Sequence, residues 1–177
     1  KMPYLSERVR PKLSRFGEPI QRTTYWFGLT DKPLETASPV EKELLSLSVP
    51  KAVGMPDNHM SGRALSKDEY NELLTRAGGG IKGWVEAVLA QPQYRNTPME
   101  QRTSIIKSVV EQFRADAASI VRPKVEMRYL GINEKLEDAE LKALNGRIEM
   151  PDFRYLKDNE RRSVVNDFIR QVKESRK

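Results

Sequence analysis

The sequence predicts an all-α protein, an irregular assembly of about six helices that follows an extended, proline-rich N-terminal arm. Capping boxes, in which a glutamate stands three positions after a hydroxyl residue, start at Ser38, Ser66 and Thr97. In such a box the hydroxyl accepts a bond from an unpaired N–H of the first turn, and the carboxylate accepts one from the capping residue. Apolar residues recur at helical spacing after the boxes, and one helix-start motif occurs twice. These three observations predict helices over most of the chain after residue 37.

Residues 1–37 are predicted to form the extended arm, because proline fixes the backbone and removes an N–H donor. Four prolines are spread along it: Pro3, Pro11, Pro19 and Pro33. A short strand is expected around residues 22–29, which contain three consecutive aromatic residues: Tyr25, Trp26 and Phe27. These side chains need an apolar surface, supplied either by the helices of the same chain or by a neighbouring chain.

Residues 38–64 are predicted to form a short helix and a linker, and residues 65–121 a helical module. The helix from Ser66 is expected to weaken or end at Gly78–Gly80, since each glycine costs about 1 kcal/mol relative to alanine. Residues 81–90 then form either a separate helix or the continuation of the first. A helix break or a close crossing of two helices accounts for the glycine run.

The next helix is predicted to start at Pro98 and to reach Val121. Its broad apolar stripe consists of Ile105, Ile106, Val109, Val110 and Phe113. Pro123 disfavours a helical conformation at the residue before it, so we expect a break or a kink there.

Residues 122–177 are predicted to form a second helical module. Its first helix, over about 123–130, is expected to end at Gly131, because glycine adopts the left-handed conformation of a C-cap without strain. Residues 134–144 form the next helix, which the following Asn–Gly pair is expected to close. A last amphipathic helix covers about 158–175.

The helix-start motif occurs in residues 92–114 and 151–173, which align without a gap at an offset of 59. Each copy begins with proline, has an aromatic residue two positions later, Tyr94 or Phe153, and continues into an amphipathic helix. Four further identities align: Arg95 with Arg154, Arg102 with Arg161, Ser104 with Ser163 and Gln112 with Gln171. Upstream the match fades, so we predict a reused packing unit and not a duplicated domain. Two copies are too few for a solenoid.

The chain carries a net charge of +6, from 31 basic and 25 acidic residues. Most of these charges are expected on solvated helix faces. Five basic residues of the arm are interleaved with the aromatic residues Tyr4, Phe16 and Tyr25, a composition that suits non-specific contact with nucleic acid. They are Arg8, Arg10, Lys12, Arg15 and Arg22. The hydrophobic content of 38% lies below the ~45–50% of an average compact domain, which favours burial of some surface against a partner.

The sequence predicts no catalytic residue, no metal site and no cofactor. The chain has no cysteine, and its single histidine, His59, lies in a polar loop, so neither a usual zinc site nor a Ser–His–Asp arrangement is expected. The glycine run ends in Lys82–Gly83, whereas a phosphate-binding P-loop has serine or threonine after the lysine. The chain is therefore predicted not to be an enzyme. It also lacks a run of ~18 apolar residues, so no transmembrane segment is expected.

Three stretches of the chain read GRALSKDEYNELLTRAG, AQPQYR and TPMEQRTSIIKSVVEQFRADA, after segments that read FGEPI and LTDKPLETASPVEKELLSL. Together, over about residues 16–120, they resemble a block near the C-terminus of long internal virion (ejection-type) and polyvalent proteins of tailed bacteriophages and prophages. The chain departs from that pattern at the triple glycine and at Gln91, where the pattern has serine. The resemblance implies a virion-associated, all-helical, non-enzymatic end domain. It supplies no catalytic residue, because its motifs consist of capping and packing residues.

The expected function is that of an assembly module of a phage virion, which contacts other virion proteins or copies of itself as a homo-oligomer. The predicted contact residues are Tyr25, Trp26, Phe27, Tyr94 and Phe153. The expected location is the virion, and ejection into the host cell is left open. The alternative is a non-specific DNA-binding module that contacts packaged or translocating phage DNA through the basic arm. A third interpretation is a regulatory or targeting domain of a phage enzyme, since a start at Lys1 suggests a truncated N-terminus.

Overall fold

The computed structural model describes residues 13, 14, 16, 18, 24, 25, 28, 29, 38–47 and 56–176, with the backbone alone at 24, 25, 28, 29 and 45. Within these residues the chain forms seven helices and two small sheets, which confirms the predicted all-α fold. The helices are α1 (Pro39–Ser46), α2 (Lys67–Leu89), α3 (Pro92–Arg95), α4 (Met99–Tyr129), α5 (Asp138–Ile148), α6 (Pro151–Tyr155) and α7 (Asp158–Ser175). The strands are β1 (Thr24–Tyr25), β2 (Gly28–Leu29), β3 (His59–Met60) and β4 (Arg63–Ala64).

The chain divides into two units. Unit 1 comprises the described residues up to Pro56 together with Leu74–Phe113, and unit 2 comprises Asp57–Leu73 together with the described residues from Arg114 onward. The helices α2 and α4 each contribute one part to each unit. The first copy of the repeat, up to Phe113, therefore belongs to unit 1, and the second copy belongs to unit 2.

Unit 1 has a core to which α1, α2, α3 and α4 all contribute. Its buried side chains from these helices and their ends are Val40, Leu44, Leu47, Ile81, Val85, Tyr94, Ile106 and Val110. Phe16 packs in the same cluster, so this residue of the predicted arm lies against its own unit. The strands β1 and β2 pair antiparallel, with Thr24 opposite Leu29, where the sequence predicts a single short strand.

Unit 2 has a second core, to which α4, α5, α6 and α7 contribute. Its buried side chains are Met127, Leu130, Leu144, Ile148, Phe153, Val165, Phe168 and Ile169. The strands β3 and β4 form a hairpin whose turn residues, Ser61 and Gly62, have φ angles of 54° and 75°. Positive φ at both central residues defines the type I′ turn, whose twist matches that of the paired strands.

Two of the three predicted capping boxes are confirmed by their hydrogen bonds. The N–H of Ser38 donates to the Glu41 carboxylate at 2.8 Å, and the N–H of Glu41 donates to the Ser38 hydroxyl at 3.2 Å. Ser66 and Glu69 make the same two bonds at 2.7 and 3.3 Å. These bonds satisfy N–H groups that the helix itself leaves unpaired, so they fix the starts of α1 and α2.

The hydroxyl of Thr97 makes a different bond from the predicted one. It donates to the carbonyl oxygen of Gln93, in the short helix α3, at 2.9 Å. The following helix, α4, begins at Met99. The sequence does not predict α3. The Thr97 hydroxyl bonds to this short helix instead of making the predicted bond within α4.

The helix α2 continues through its glycine run, so the predicted end at Gly78–Gly80 is wrong and the close-crossing alternative is right. A Cβ atom built at Gly80 would overlap the ring of Phe113 on α4. Both residues belong to unit 1. Glycine here lets the two helices approach closely, and burial of the adjacent Ile81 offsets its low helix propensity.

The helix α4 also continues through Pro123 as far as Tyr129, so the predicted break is wrong. Proline lacks the N–H that would donate to the carbonyl group four residues earlier, which costs about 3 kcal/mol in a helix interior. Apolar side chains on both sides of Pro123 are almost completely buried: Ile120, Val121 and Val125. Their burial offsets the lost bond, and tertiary packing overrides the local preference.

The predicted end of this helix at Gly131 is confirmed. Gly131 has a φ angle of 69°, and its N–H donates to the carbonyl oxygen of Arg128 at 3.1 Å. The N–H of Ile132 donates to the carbonyl oxygen of Met127 at 2.8 Å. These are the two bonds of a Schellman motif, which satisfies carbonyl groups at the end of a helix.

The helix α5 covers Asp138–Ile148 instead of the predicted 134–144, so the Asn145–Gly146 pair lies inside it. Continuing the helix buries Ile148, which is 5% exposed in the core of unit 2. The Asn145 side-chain oxygen accepts a bond from Arg122 at 3.1 Å. Burial and this bond outweigh the local tendency of Asn–Gly to end a helix. The last predicted helix, over about 158–175, is confirmed as α7.

We predict opposite effects for alanine at two neighbouring glycines of α2. The added methyl group of Gly80→Ala overlaps Phe113, so this variant should lower the free energy of unfolding by about 1 kcal/mol or more. The methyl group of Gly79→Ala meets open space among the described residues, so this variant should raise it by about 1 kcal/mol. Urea unfolding followed by circular dichroism measures both changes. Equal stabilisation by the two variants would contradict the close crossing.

Candidate functional site

Each copy of the repeated motif builds a cluster of an arginine, an aromatic ring and a carboxylate. In unit 1 the guanidinium group of Arg102 lies over the ring of Tyr94, 5.7 Å from its centroid. Its Nη1 donates to Oε1 of Glu43 at 2.9 Å, and the Tyr94 hydroxyl donates to the same oxygen at 3.0 Å. The Glu43 side chain is 11% exposed. Residues from α1, α3 and α4 therefore meet at one largely buried carboxylate.

In unit 2 the guanidinium group of Arg161 lies over the ring of Phe153, 5.4 Å from its centroid. Its Nη1 lies 3.4 Å from Oε1 of Glu126, and Nε of Arg63 lies 3.1 Å from the other oxygen. Arg161 also donates to the carbonyl oxygen of Arg154 at 2.8 Å. Glu126 is only 2% exposed, and two guanidinium groups neutralise it.

The two clusters correspond where the repeat aligns and differ where it does not. Arg102 matches Arg161 and Tyr94 matches Phe153, so the cation–π pair belongs to the motif. The carboxylate has no aligned position, since α1 supplies it in unit 1 and α4 supplies it in unit 2. In both arginines Nε is buried and has no hydrogen-bond partner in the part of the chain that the structure describes. An identical arginine eight positions after each aromatic residue is the sequence signal for this pair.

Unit 2 also contains a cavity of about 460 Å³, which falls in the ~300–1,000 Å³ range of small-ligand pockets. Its charged lining residues are Arg122, Arg154, Arg161, Glu126 and Glu149. Its other lining residues are Ser61, Ile148 and Phe153. The cavity thus combines charged and apolar walls. Three of its residues, Glu126, Phe153 and Arg161, also belong to the Arg161 cluster.

The arginines of the cavity wall differ in their partners. Arg122 forms an ion pair with Glu149, and Arg161 forms one with Glu126. The side chain of Arg154 is exposed, and its guanidinium group has no hydrogen bond or ion pair within the described ranges. One positive charge of the wall is therefore uncompensated.

The residues that the sequence analysis assigns to contacts lie in different surroundings. Tyr25 lies on β1, where the backbone alone is described, and Trp26 and Phe27 lie outside the described residues. Tyr94 and Phe153 are 6% and 5% exposed, each in the core of its own unit. The five basic residues of the arm also lie outside the described residues: Arg8, Arg10, Lys12, Arg15 and Arg22.

Five large apolar side chains of the described residues are exposed: Met99, Ile105, Tyr129, Met150 and Tyr155. Tyr155, at 88%, and Met150, at 58%, are the most exposed of them and flank the start and end of α6 in unit 2. Tyr129 differs, because the guanidinium groups of Arg63 and Arg128 lie 4.8 and 4.5 Å from its ring centroid. The sequence does not single out Met150 and Tyr155, because a hydrophobic pattern does not tell which apolar side chains stay outside a core.

The described residues contain no group of three or more histidine, cysteine, aspartate or glutamate side chains that could hold a metal ion. His59 is exposed, and its Nδ1 lies 2.7 Å from the side-chain oxygen of Asn58. Each helix in the same part of the chain is too short or too polar to span a lipid bilayer. Comparisons of the chain with models of protein families, with curated proteins and with solved structures found no match.

We predict that Tyr94→Phe, which installs the residue of the second copy, keeps the fold and lowers the free energy of unfolding by about 1 kcal/mol at neutral pH. The cause is the loss of one donor to Glu43. Tyr94→Ala should cost about 3–5 kcal/mol, because it also leaves a cavity in the core. Tyr155→Phe is the matched control, since its ring is exposed and the same change should leave stability unaltered.

The pH dependence of the same variants gives a second measurement. Burial, and then the hydrogen bond and charge of Glu43, raise the pKa of the Tyr94 phenol above its ordinary value. The stability that the neutral phenol confers is therefore present below about pH 10, the unfolded value, and is lost as the pH rises through the higher folded value. The stability difference between wild type and Tyr94→Phe, measured by urea unfolding, should shrink above about pH 10. A constant difference would contradict the assigned bond.

Proposed function

We propose that this chain is a helical contact module that assembles with copies of itself and serves in a bacteriophage particle. The observation that supports this proposal most is the exposure of two large apolar side chains at the two ends of α6 in unit 2, Tyr155 at 88% and Met150 at 58%. Large apolar side chains gain about 25 cal/mol for each Å² that a partner covers. Tyrosine and methionine are also enriched at protein interfaces.

The charges of the described helices favour a protein contact over a nucleic-acid contact. Many of their basic groups form ion pairs inside their own unit, as Lys124 does with Glu72 at 2.7 Å and Arg128 does with Glu69 at 2.8 Å. Binding of nucleic acid depends on basic groups that are available to neutralise phosphates. Groups that already hold a carboxylate contribute less to such binding.

A second candidate function, non-specific DNA binding, is favoured by the composition of the arm. Residues 1–37 contain seven basic and four acidic residues, so this fifth of the chain carries half of the net charge. The seven basic residues are Arg8, Arg10, Lys12, Arg15 and Arg22 together with Lys1 and Lys32. Such a segment would bind duplexes of any sequence and would lose affinity steeply with salt.

The phage setting of the proposal rests on the resemblance of about residues 16–120 to the C-terminal block of internal virion and polyvalent proteins. In that setting the module is non-enzymatic and lies in the virion. Its partners are other copies of the same chain and neighbouring virion proteins. Because Tyr94 and Phe153 are buried, we infer that the repeated motif stabilises each unit and that other side chains make the contact with partner chains.

We predict that the purified chain, with a monomer mass of 20.3 kDa, sediments as a larger species whose proportion rises with concentration. The double variant Met150→Gln with Tyr155→Ser should shift it toward the monomer, because it removes the exposed apolar surface next to α6. The matched control is Met99→Gln with Ile105→Gln, which removes exposed apolar side chains from unit 1.

Analytical ultracentrifugation in low and moderate salt distinguishes the two candidate functions. An apolar contact should survive moderate salt, whereas DNA binding should not. A monomer at every concentration would contradict the proposal. Salt-sensitive binding of duplex DNA by that monomer would favour the alternative.

A further inference from the structure

The charge balance of the cavity in unit 2 favours an anionic ligand. Two of its three arginines form ion pairs with the two glutamates of the wall, and Arg154 supplies the remaining positive charge. The Arg154 side chain is exposed, so its charge is accessible to an oxyanion that enters the cavity from solvent. The guanidinium fork is also suited to bind two oxygen atoms at once.

The two glutamates limit the charge of that anion. Because Glu126 and Glu149 are paired with arginines, one positive charge remains, which a singly charged carboxylate neutralises and a doubly charged phosphate would exceed. A planar carboxylate also matches the planar guanidinium fork in a bidentate pair. The walls therefore favour a carboxylate over a phosphate.

The uncharged walls favour an apolar group directly beside the carboxylate. Ile148 and Phe153 supply apolar surface, and Ser61 supplies a hydroxyl donor. Ser61 is the one non-glycine residue with positive φ in the described part of the chain, and it stands in the turn between β3 and β4.

We propose that this cavity binds the C-terminal carboxylate of a partner polypeptide whose last side chain is apolar. Arg154 pairs with the carboxylate, Ser61 donates to it, and the last side chain packs against Ile148 and Phe153. Only at the C-terminus does a single residue carry both a carboxylate and an apolar side chain on the same Cα atom, which favours a chain end over an aspartate or glutamate side chain. The inference rests on the proposed function, since it names the chemistry of one contact that such a module makes.

The first copy of the repeat supplies a matched control for this site. Arg95 in unit 1 aligns with Arg154, but its Nε donates to the carbonyl oxygen of Leu89 at 3.1 Å. Its guanidinium group is thus bound to its own unit. A change at Arg95 removes the same charge from the chain without removing it from the cavity.

The experiment uses N-acetyl-L-leucine, a carboxylate beside an apolar side chain, titrated into the 177-residue chain and followed by NMR or calorimetry. N-acetyl-L-leucinamide, which lacks the negative charge, should bind at least about tenfold more weakly. Arg154→Gln should weaken binding of the acid by a similar factor, and Arg95→Gln should leave it unchanged. Ser61→Gly should also weaken it and should keep the hairpin, because glycine favours positive φ.

Equal binding of the acid and the amide would overturn the proposal. So would an unchanged affinity in Arg154→Gln, once circular dichroism and thermal unfolding show that this variant folds as wild type does. Tighter binding of inorganic phosphate than of N-acetyl-L-leucine would overturn the carboxylate assignment in favour of a phosphate-bearing partner. If the acid does not bind while the chain still self-associates, this inference is wrong and the contact module stands. If the acid binds to a chain that stays monomeric, this inference stands and the proposed contact module is wrong.

Discussion

A partly buried arginine that lies on an aromatic ring and holds a buried carboxylate is the interaction on which each unit depends. In unit 1 Arg102 of α4 holds Glu43 of α1, and in unit 2 Arg161 of α7 holds Glu126 of α4. A largely buried carboxylate that loses its basic partners costs several kcal/mol, so each ion pair helps to fix how two helices approach. The aromatic ring beneath the arginine belongs to a short helix, α3 or α6, and this contact orders the chain just before each long helix. The apolar faces of the helices then pack around this ion pair.

The two clusters differ in the second donor to the carboxylate, and the segment that supplies this donor in unit 2 also lines the cavity. In unit 1 the hydroxyl of Tyr94 supplies the second bond. Phe153 has no hydroxyl, and Arg63 of β4 supplies the second interaction with Glu126 instead. The hairpin that carries Arg63 also carries Ser61, which lines the cavity together with Phe153. The repeated motif therefore forms one cluster around Glu43 in unit 1 and one cluster beside a charged cavity in unit 2.

Helix-breaking residues occur inside three helices because burial on both sides compensates for them. Gly80 lies in α2 against the ring of Phe113, Pro123 lies between buried residues of α4, and Gly146 lies in α5 just before the buried Ile148. Each breaker costs about 1 to 3 kcal/mol, and each fully buried aliphatic side chain contributes about as much in the opposite direction. These helices stay continuous because several buried side chains flank the breakers. The glycine of α2 has the further role of permitting a close approach that any larger residue would prevent.

The sequence by itself determined the helical class, the starts of α1 and α2, the cap at Gly131 and the last helix, because these features depend on bonds and spacings within a few residues. It also determined half of each arginine cluster, since the arginine and the aromatic residue recur at one spacing in both copies. Only the tertiary structure decided which carboxylate completes each cluster. Glu43 lies 59 residues from Arg102, and Glu126 lies 35 residues from Arg161. Neither carboxylate differs in its local sequence pattern from the other acidic residues around it. Burial selects one carboxylate among many, and burial depends on contacts between segments that a local pattern does not contain.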